Sequence, residues 1–255
     1  MKKQVVITYI VCIHVLLGFA LLKSGFVDRV QKELGISQTK QTEITEDFRH
    51  LVRYHTRMDD NVPDGAAVFI GDSITQGLCV SAVVPLSVNY GIGGDTTVGV
   101  LRRLPIYRSI RRAGTIVVAI GINDMNFRTN EQILRNYLSI AEHMPKNVPV
   151  IFSAVLPVDE KAHKRRWRGW NQRIQALNAD LKSFISKSKN LFFVDAGYLL
   201  VDVQANLAHE YHAGDGLHLN AKGNAIWIKE LQKTIMSAQQ SAVLDGDSSV
   251  LHSRH

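Results

Sequence analysis

The chain has little cysteine, little proline and no signature of a metal or nucleotide site. Its two cysteines in 255 residues, Cys12 and Cys79, are too few for a disulfide framework. Cys79 is therefore expected as a free thiol, a small side chain packed inside. Cys/His pairs at zinc spacing are missing, so no metal is expected, and His163, His209 and His212 read as surface or supporting residues. No G-K-[ST] phosphate loop or G-x-G-x-x-G dinucleotide turn occurs, so no cofactor is expected either. The net charge of +7 raises the question of nucleic acid. The basic residues mark no reading element, however, and no zinc-finger, helix-turn-helix or RNA-binding pattern is present, so the excess charge points to an anionic substrate or surface instead.

What is present begins with an uncharged, mostly apolar stretch over residues 5–22, preceded by Lys2 and Lys3. Its length suits a membrane anchor or the apolar region of a signal peptide. Gly18-Phe19-Ala20 offers small residues for cleavage, but Leu21 and Leu22 continue the apolar run, which favours an uncleaved anchor. The rest of the chain is then expected outside the cytoplasm, tethered to the inner membrane, or secreted if the segment is removed. Residues 23–63 are polar and read as a stalk followed by a short packing helix carrying Ile44, Phe48, Leu51 and Tyr54, closed by the turn Pro63-Asp64-Gly65.

Five short apolar runs follow, at 66–70, 86–90, 115–120, 148–154 and 191–194, each with the continuous hydrophobicity of a strand buried on both faces. Helical segments alternate with them, notably 130–144, 169–187 and 221–236, the last behind Asn220 as N-cap. This alternation predicts an α/β domain over 64–237, a parallel sheet covered by helices on both sides, with ligands at the carboxyl ends of the strands. The Ser-, Asp- and His-rich segment 238–255 reads as a disordered tail.

The first run ends in Gly71-Asp72-Ser73-Ile74. A Gly-Asp turn at a strand tip lifts the Ser73 hydroxyl above the sheet edge and opens a helix N-terminus, so the Ser73 N–H can face a developing oxyanion. Taken alone, such a triplet is more often a helix cap than a nucleophile. After the second run comes Gly91-Ile92-Gly93-Gly94-Asp95, a turn that exposes backbone N–H donors, with Gly94 the better fit and Gly93 the alternative. The third run ends in Gly121-Ile122-Asn123-Asp124, which brings the Asn123 amide, a donor that does not titrate, to the same edge. Near the C-terminus, Asp215 and His218 stand three residues apart, close enough for the carboxylate to hold the imidazole in one tautomer.

In this order the residues resemble the SGNH hydrolases, or GDSL esterases, in all four of that family's blocks, over roughly 66–236. Departures are small, such as Ile74 where leucine is usual. The resemblance implies a flavodoxin-like three-layer α/β/α sandwich around a central five-stranded parallel sheet. It also implies that Ser73 is the nucleophile, His218 the base oriented by Asp215, and that the Ser73 N–H, the Gly94 N–H and the Asn123 side chain form an oxyanion hole, without metal or cofactor.

For the substrate, the loop after the fourth run is basic and aromatic, and Trp167, Trp170 and Arg166, together with Asp72, are candidate binding residues. The tryptophans could stack on a sugar or cover an acyl chain; the plainer expectation is a solvated helix start with one Trp packed inward. Arg102, Arg103, Arg108, Arg111 and Arg112 are expected on the surface of the helix after the glycine turn. The expected activity is removal of a small acyl group, acetyl foremost, from a carbohydrate or cell-envelope substrate. The alternatives are a lysophospholipase or thioesterase for longer chains, and an inactive module that binds an anionic polymer.

Overall fold

A computed structural model describes the chain continuously over residues 44–252, with side chains to 241, and N-terminal to that only scattered residues between Gln4 and Gly18. Residues 1–42 form a separate compact unit. Most of the anchor and stalk expected there lies outside the described residues. No helix among the described residues is long and apolar enough to cross a membrane.

The sheet has five parallel strands, β1 (Ala67–Gly71), β2 (Ser87–Gly91), β3 (Thr115–Ala119), β4 (Val150–Ser153) and β5 (Leu191–Val194), in the order β2-β1-β3-β4-β5. Every residue of β1 and β4 is buried, which in a pleated strand means that both faces are covered. The helices are α1 (Glu46–Asp59), α2 (Ser73–Gln76), α3 (Val80–Val83), α4 (Thr97–Arg103), α5 (Asn130–His143), α6 (Trp170–Ile185) and α7 (Ala221–His252). Of these, α4, α5 and α6 pack side by side, while α7 packs with α3 and β5. The five expected strands and three expected helices are all present, displaced by a few residues at most at their ends except for the last helix, which runs on from 236 to His252.

Reversal of strand order between β1 and β3 leaves a crevice at the carboxyl ends of the central strands, where open α/β sheets hold ligands. The turns after β1, β2 and β3 all open at that edge. Helix α1 is fastened to the domain by Asp59, whose buried carboxylate accepts from the Tyr90 hydroxyl at 2.8 Å and from the N–H of Arg108 at 2.6 Å.

Three expectations are corrected. Cys79 is exposed, because it sits at the N-cap of the short helix α3 and not on its buried side. Arg103 is 1% exposed, because α4 turns Thr97, Val100 and Arg103 inward at helical spacing. Helix α7 runs past Ser237, where a disordered tail was expected: Ala238 is fully buried, and the Ser237 and Ser241 hydroxyls bond back to the carbonyls four residues earlier. Small side chains facing the core extend the helix where composition alone suggests a tail.

Candidate active site

Ser73 is the first residue of α2, immediately after the tip of β1. Asp72 caps this helix, its Oδ1 accepting the Ile74 N–H at 2.9 Å. Buried at 2% exposure, Asp72 faces the interior and not a substrate, which corrects its candidacy as a binding residue. Burial pushes its carboxyl up to about 7; the Ile74 N–H opposes this, and Asp95 and Asp124 add to it. A native carboxyl raised above its ordinary value contributes stability fully below pH 3.8, and that contribution is lost as pH rises through about 7. An Asp72→Asn variant lacks this loss. Its Tm relative to wild type is expected to rise between pH 5 and pH 8, and a constant difference in thermal melts contradicts the assignment.

The Ser73 Oγ lies 2.9 Å from His218 Nε2, and His218 Nδ1 lies 2.5 Å from Asp215 Oδ2. The other Asp215 oxygen accepts the N–H groups of Leu217 and His218, both at 3.0 Å, so the carboxylate is held by the turn it orients. Burial raises the Asp215 carboxyl, but the hydrogen bonds from His218 and from these two N–H groups outweigh it and bring it down to about 2. Asp215 is therefore ionised wherever the imidazole can act as a base. The neighbouring His212 is buried and accepts the N–H groups of Gly214 and Gly216 on Nδ1, at 3.0 and 3.1 Å, which braces the loop carrying Asp215 and His218.

The turns after β2 and β3, which carry the candidate oxyanion donors, are held by hydrogen bonds of their own. Gly93 N–H donates to Gln76 Oε1 at 2.7 Å, whereas Gly94 N–H has no partner among the described residues. Of the two glycines, Gly94 is therefore the one whose N–H is left to donate, and its φ of +75° suits glycine. Asn123 donates one amide hydrogen to the Asp95 carbonyl at 3.0 Å, which leaves the other to point at a ligand. Asp124 is buried and receives the N–H and hydroxyl of Thr97 at 2.8 and 2.6 Å, locking the turn after β3 to the start of α4.

Beneath these turns lies the buried Arg103. Its guanidinium donates to Asp95 Oδ2 at 2.8 Å, the Tyr90 carbonyl at 2.7 Å, the Gly71 carbonyl at 3.0 Å and the Tyr107 hydroxyl at 3.2 Å. Burial pushes the Asp95 carboxyl up to about 6, against the pull of Arg103 and the Thr96 N–H. One cation thus ties the tips of β1 and β2 to the glycine turn.

Sequence reasoning missed Arg103, Asp95, Asp124 and Gln76. The signal for Arg103 was its place one helical repeat beyond Thr97 and Val100. Gln76 carried no comparable signal. A Gln76→Met variant keeps the side-chain length and removes the acceptor for Gly93 N–H. It is expected to lower kcat about 10-fold, as for loss of one hydrogen bond of about 1 kcal/mol or slightly more. Because Gln76 is exposed, Tm should hardly move, and Gln76→Glu, which retains an acceptor, should lose less. Equal kcat in wild type and both variants contradicts a positioning role.

Trp167 and Trp170 are both in the core, at 5% and 7% exposure, with Trp167 lying between the rings of His163 and Trp170. Neither offers a face for stacking, because burying such a ring against neighbours is worth more than leaving it at the surface. Arg166 does reach the site's edge: its Nε donates at 3.0 Å to Asn126 Oδ1, and Asn126 donates at 3.2 Å to the Asn123 carbonyl. Among the described residues, no group of His, Cys, Asp and Glu is placed to hold a metal ion.

A model of the GDSL-like lipase/acylhydrolase family matches residues 69–226, which include Ser73, Gly94, Asn123, Asp215 and His218. The chain belongs to the GDSL-like lipase/acylhydrolase family. This GDSL acylhydrolase is a carboxylic ester hydrolase, in keeping with its relatives. It is 31% identical over 189 residues to the platelet-activating factor acetylhydrolase IB subunit alpha2 of Rattus norvegicus, covering 69% of this chain and 78% of the relative. Among solved structures, a GDSL-like lipase from Bacteroides thetaiotaomicron superposes with a TM-score of 0.64 at 24% identity, covering 75% of this chain and 99% of that one. An acetylxylan esterase from Geobacillus stearothermophilus, a Ser-to-Ala catalytic mutant, superposes with a TM-score of 0.54 at 19% identity, covering 67% and 94%. Those two structures speak for the GDSL fold, and the family match for the chemistry.

Proposed function

We propose that this GDSL acylhydrolase removes a small acyl group, acetyl foremost, from a carbohydrate or cell-envelope ester, with Ser73, His218 and Asp215 as its catalytic triad. The observation that carries the reading is the unbroken hydrogen-bonded line from Ser73 Oγ through the His218 imidazole to Asp215, at the carboxyl edge of β1. In this reading, His218 Nε2 takes the Ser73 proton as Oγ attacks the ester carbonyl. The negative charge on the former carbonyl oxygen is met by the N–H groups of Ser73 and Gly94 and by the Asn123 amide. His218 returns the proton to the departing alcohol, and the acyl group stays on Ser73. Water, deprotonated by the same imidazole, then attacks the acyl-enzyme and releases the acid. Asp215 stays ionised throughout and stabilises the imidazolium.

Two observations favour a small acyl group. The large aromatics that could have covered a long chain, Trp167 and Trp170, are packed into the core, and the triad is open, with His218 and Asp215 side chains 40% and 45% exposed. The acetylhydrolase name of the rat relative and the acetylxylan esterase name of a structural neighbour point the same way. The apolar N-terminal stretch supports a place outside the cytoplasm, on a tether or secreted. The deciding experiment measures kcat/KM over 4-nitrophenyl esters from acetate to palmitate. The proposal expects acetate to be turned over fastest; a maximum at long chains supports the lysophospholipase or thioesterase alternative instead. No turnover of any ester, with retained binding to an anionic polymer, supports the inactive module.

A further inference from the structure

The segment between β4 and α6 forms a fixed, acid-free strap along the candidate site. Residues 161–168 carry Lys161, Lys164, Arg165, Arg166 and Arg168 and no Asp or Glu. The two carboxylates just before it are engaged in holding its start: Glu160 accepts the N–H groups of Gly169 and Asn171 at 3.0 and 2.9 Å, closing the strap on the first turn of α6. Asp159 accepts the Lys161 N–H at 3.0 Å, and its own N–H donates to the Gly216 carbonyl at 2.8 Å. The strap touches both sides of the site. At its start, Ala162 lies so close to Gly216, beside Asp215, that a Cβ on Gly216 would come within 2.6 Å of the Ala162 Cβ. At its other end, Arg166 reaches Asn126 and through it the turn of Asn123. The buried Trp167 pins it from below.

Lys161 is paired with Asp202 at 3.4 Å and Arg166 with Asn126, which leaves Lys164, Arg165 and Arg168 exposed and without partners among the described residues. We propose that these three cations form an anion-binding rim, so that the ester's alcohol part is an anionic glycan bearing carboxylate or phosphate groups. The inference deepens the esterase reading and rests on it. A charge run on a mobile surface loop is usually only solvated. Here the chain is held at both ends by elements of the site, so the backbone that carries the cations is anchored beside the reacting bond. A lipid surface fits less well, because segments that bind bilayers set exposed Trp, Phe or Leu among their cations. The strap's only large apolar side chain, Trp167, faces inward.

The test uses the full chain with two matched probes, partly O-acetylated oligogalacturonate and partly O-acetylated xylo-oligosaccharide. The triple variant Lys164→Gln, Arg165→Gln, Arg168→Gln is expected to reduce the ratio of kcat/KM on the anionic probe to that on the neutral probe about 10-fold. Raising salt from 20 to 500 mM should lower the same ratio in the wild type and hardly affect it in the variant. A control with the same change of charge at the far end of α6, Lys182→Gln, Lys187→Gln, Lys189→Gln, should keep the wild-type ratio. A wild-type enzyme with no preference for the anionic probe, or equal losses in both triple variants, overturns the rim. So does tighter binding to phosphatidylglycerol vesicles than to the glycan. Binding of unacetylated oligogalacturonate to Ser73→Ala, with and without the strap substitutions, reads the rim even if the esterase reading fails.

Discussion

Replacing Ser73 by alanine is expected to lower kcat on an activated acetyl ester by about 10⁴-fold or more, with Tm near the wild-type value. The Oγ is placed to attack a carbonyl while its proton goes to an imidazole 2.9 Å away. The oxyanion donors and the binding surface remain in the variant, so a residual rate above water is expected, but no acyl-enzyme can form. The hydroxyl makes no other hydrogen bond among the described residues, and its removal leaves no buried polar group unpaired. Steady-state turnover together with a thermal melt checks both halves. A loss of activity accompanied by a large loss of stability assigns Ser73 a structural role instead.

The second large effect is expected at Arg103, where leucine in place of arginine should destabilise the fold by about 3–5 kcal/mol, as when one partner of a buried pair is removed. The damage has two parts. Asp95 becomes a carboxylate buried without its cation, and the carbonyls of Gly71 and Tyr90 lose their donor at the strand tips. In a domain of this size, such a loss lowers Tm by about 10 °C or more. The double variant Arg103→Leu, Asp95→Asn removes the uncompensated charge and should recover part of the stability. It should recover little activity, since Asp95 and Gly94 belong to the turn that Arg103 ties to β1 and β2. Stability measured by denaturant and kcat measured on the same samples separate the two parts. An Arg103→Leu variant as stable as wild type contradicts the clamp.

The two kinds of residue differed in how readable they were. The strands were legible because burial on both faces demands unbroken apolar runs, such as Val68-Phe69-Ile70 between Asp64-Gly65 and Gly71-Asp72, or Ile151-Phe152 behind Pro149. The placement of Ser73, Asn123, Asp215 and His218 was legible because they stand at strand tips or within a single turn, and the structure brings Ser73, His218 and Asp215 into hydrogen-bond contact. Arg103 was harder to read, because in one dimension it belongs to a cluster of arginines, and its one signal, the helical spacing from Thr97 and Val100, is weak beside the hydrogen bonds to the Gly71 and Tyr90 carbonyls that single it out in the fold. The tryptophans misled for a related reason. A basic, aromatic loop reads as a sugar platform or, more plainly, as a solvated helix start with one Trp packed inward, and the fold of the segment on Glu160, Asn171 and His163 packs both tryptophans inward. Cys79 and Ala238 exchanged their expected environments, one outside and one inside, because each depends on the face of a helix that the sequence around it does not specify.

The most direct test of the central claim is covalent labelling of the full chain with a fluorophosphonate, read by mass spectrometry of the intact protein and of its peptides. One adduct is expected, on the peptide containing Ser73, forming in step with loss of esterase activity, much slower in His218→Gln and absent in Ser73→Ala. Labelling at another residue, or complete labelling of Ser73 with turnover intact, contradicts the account.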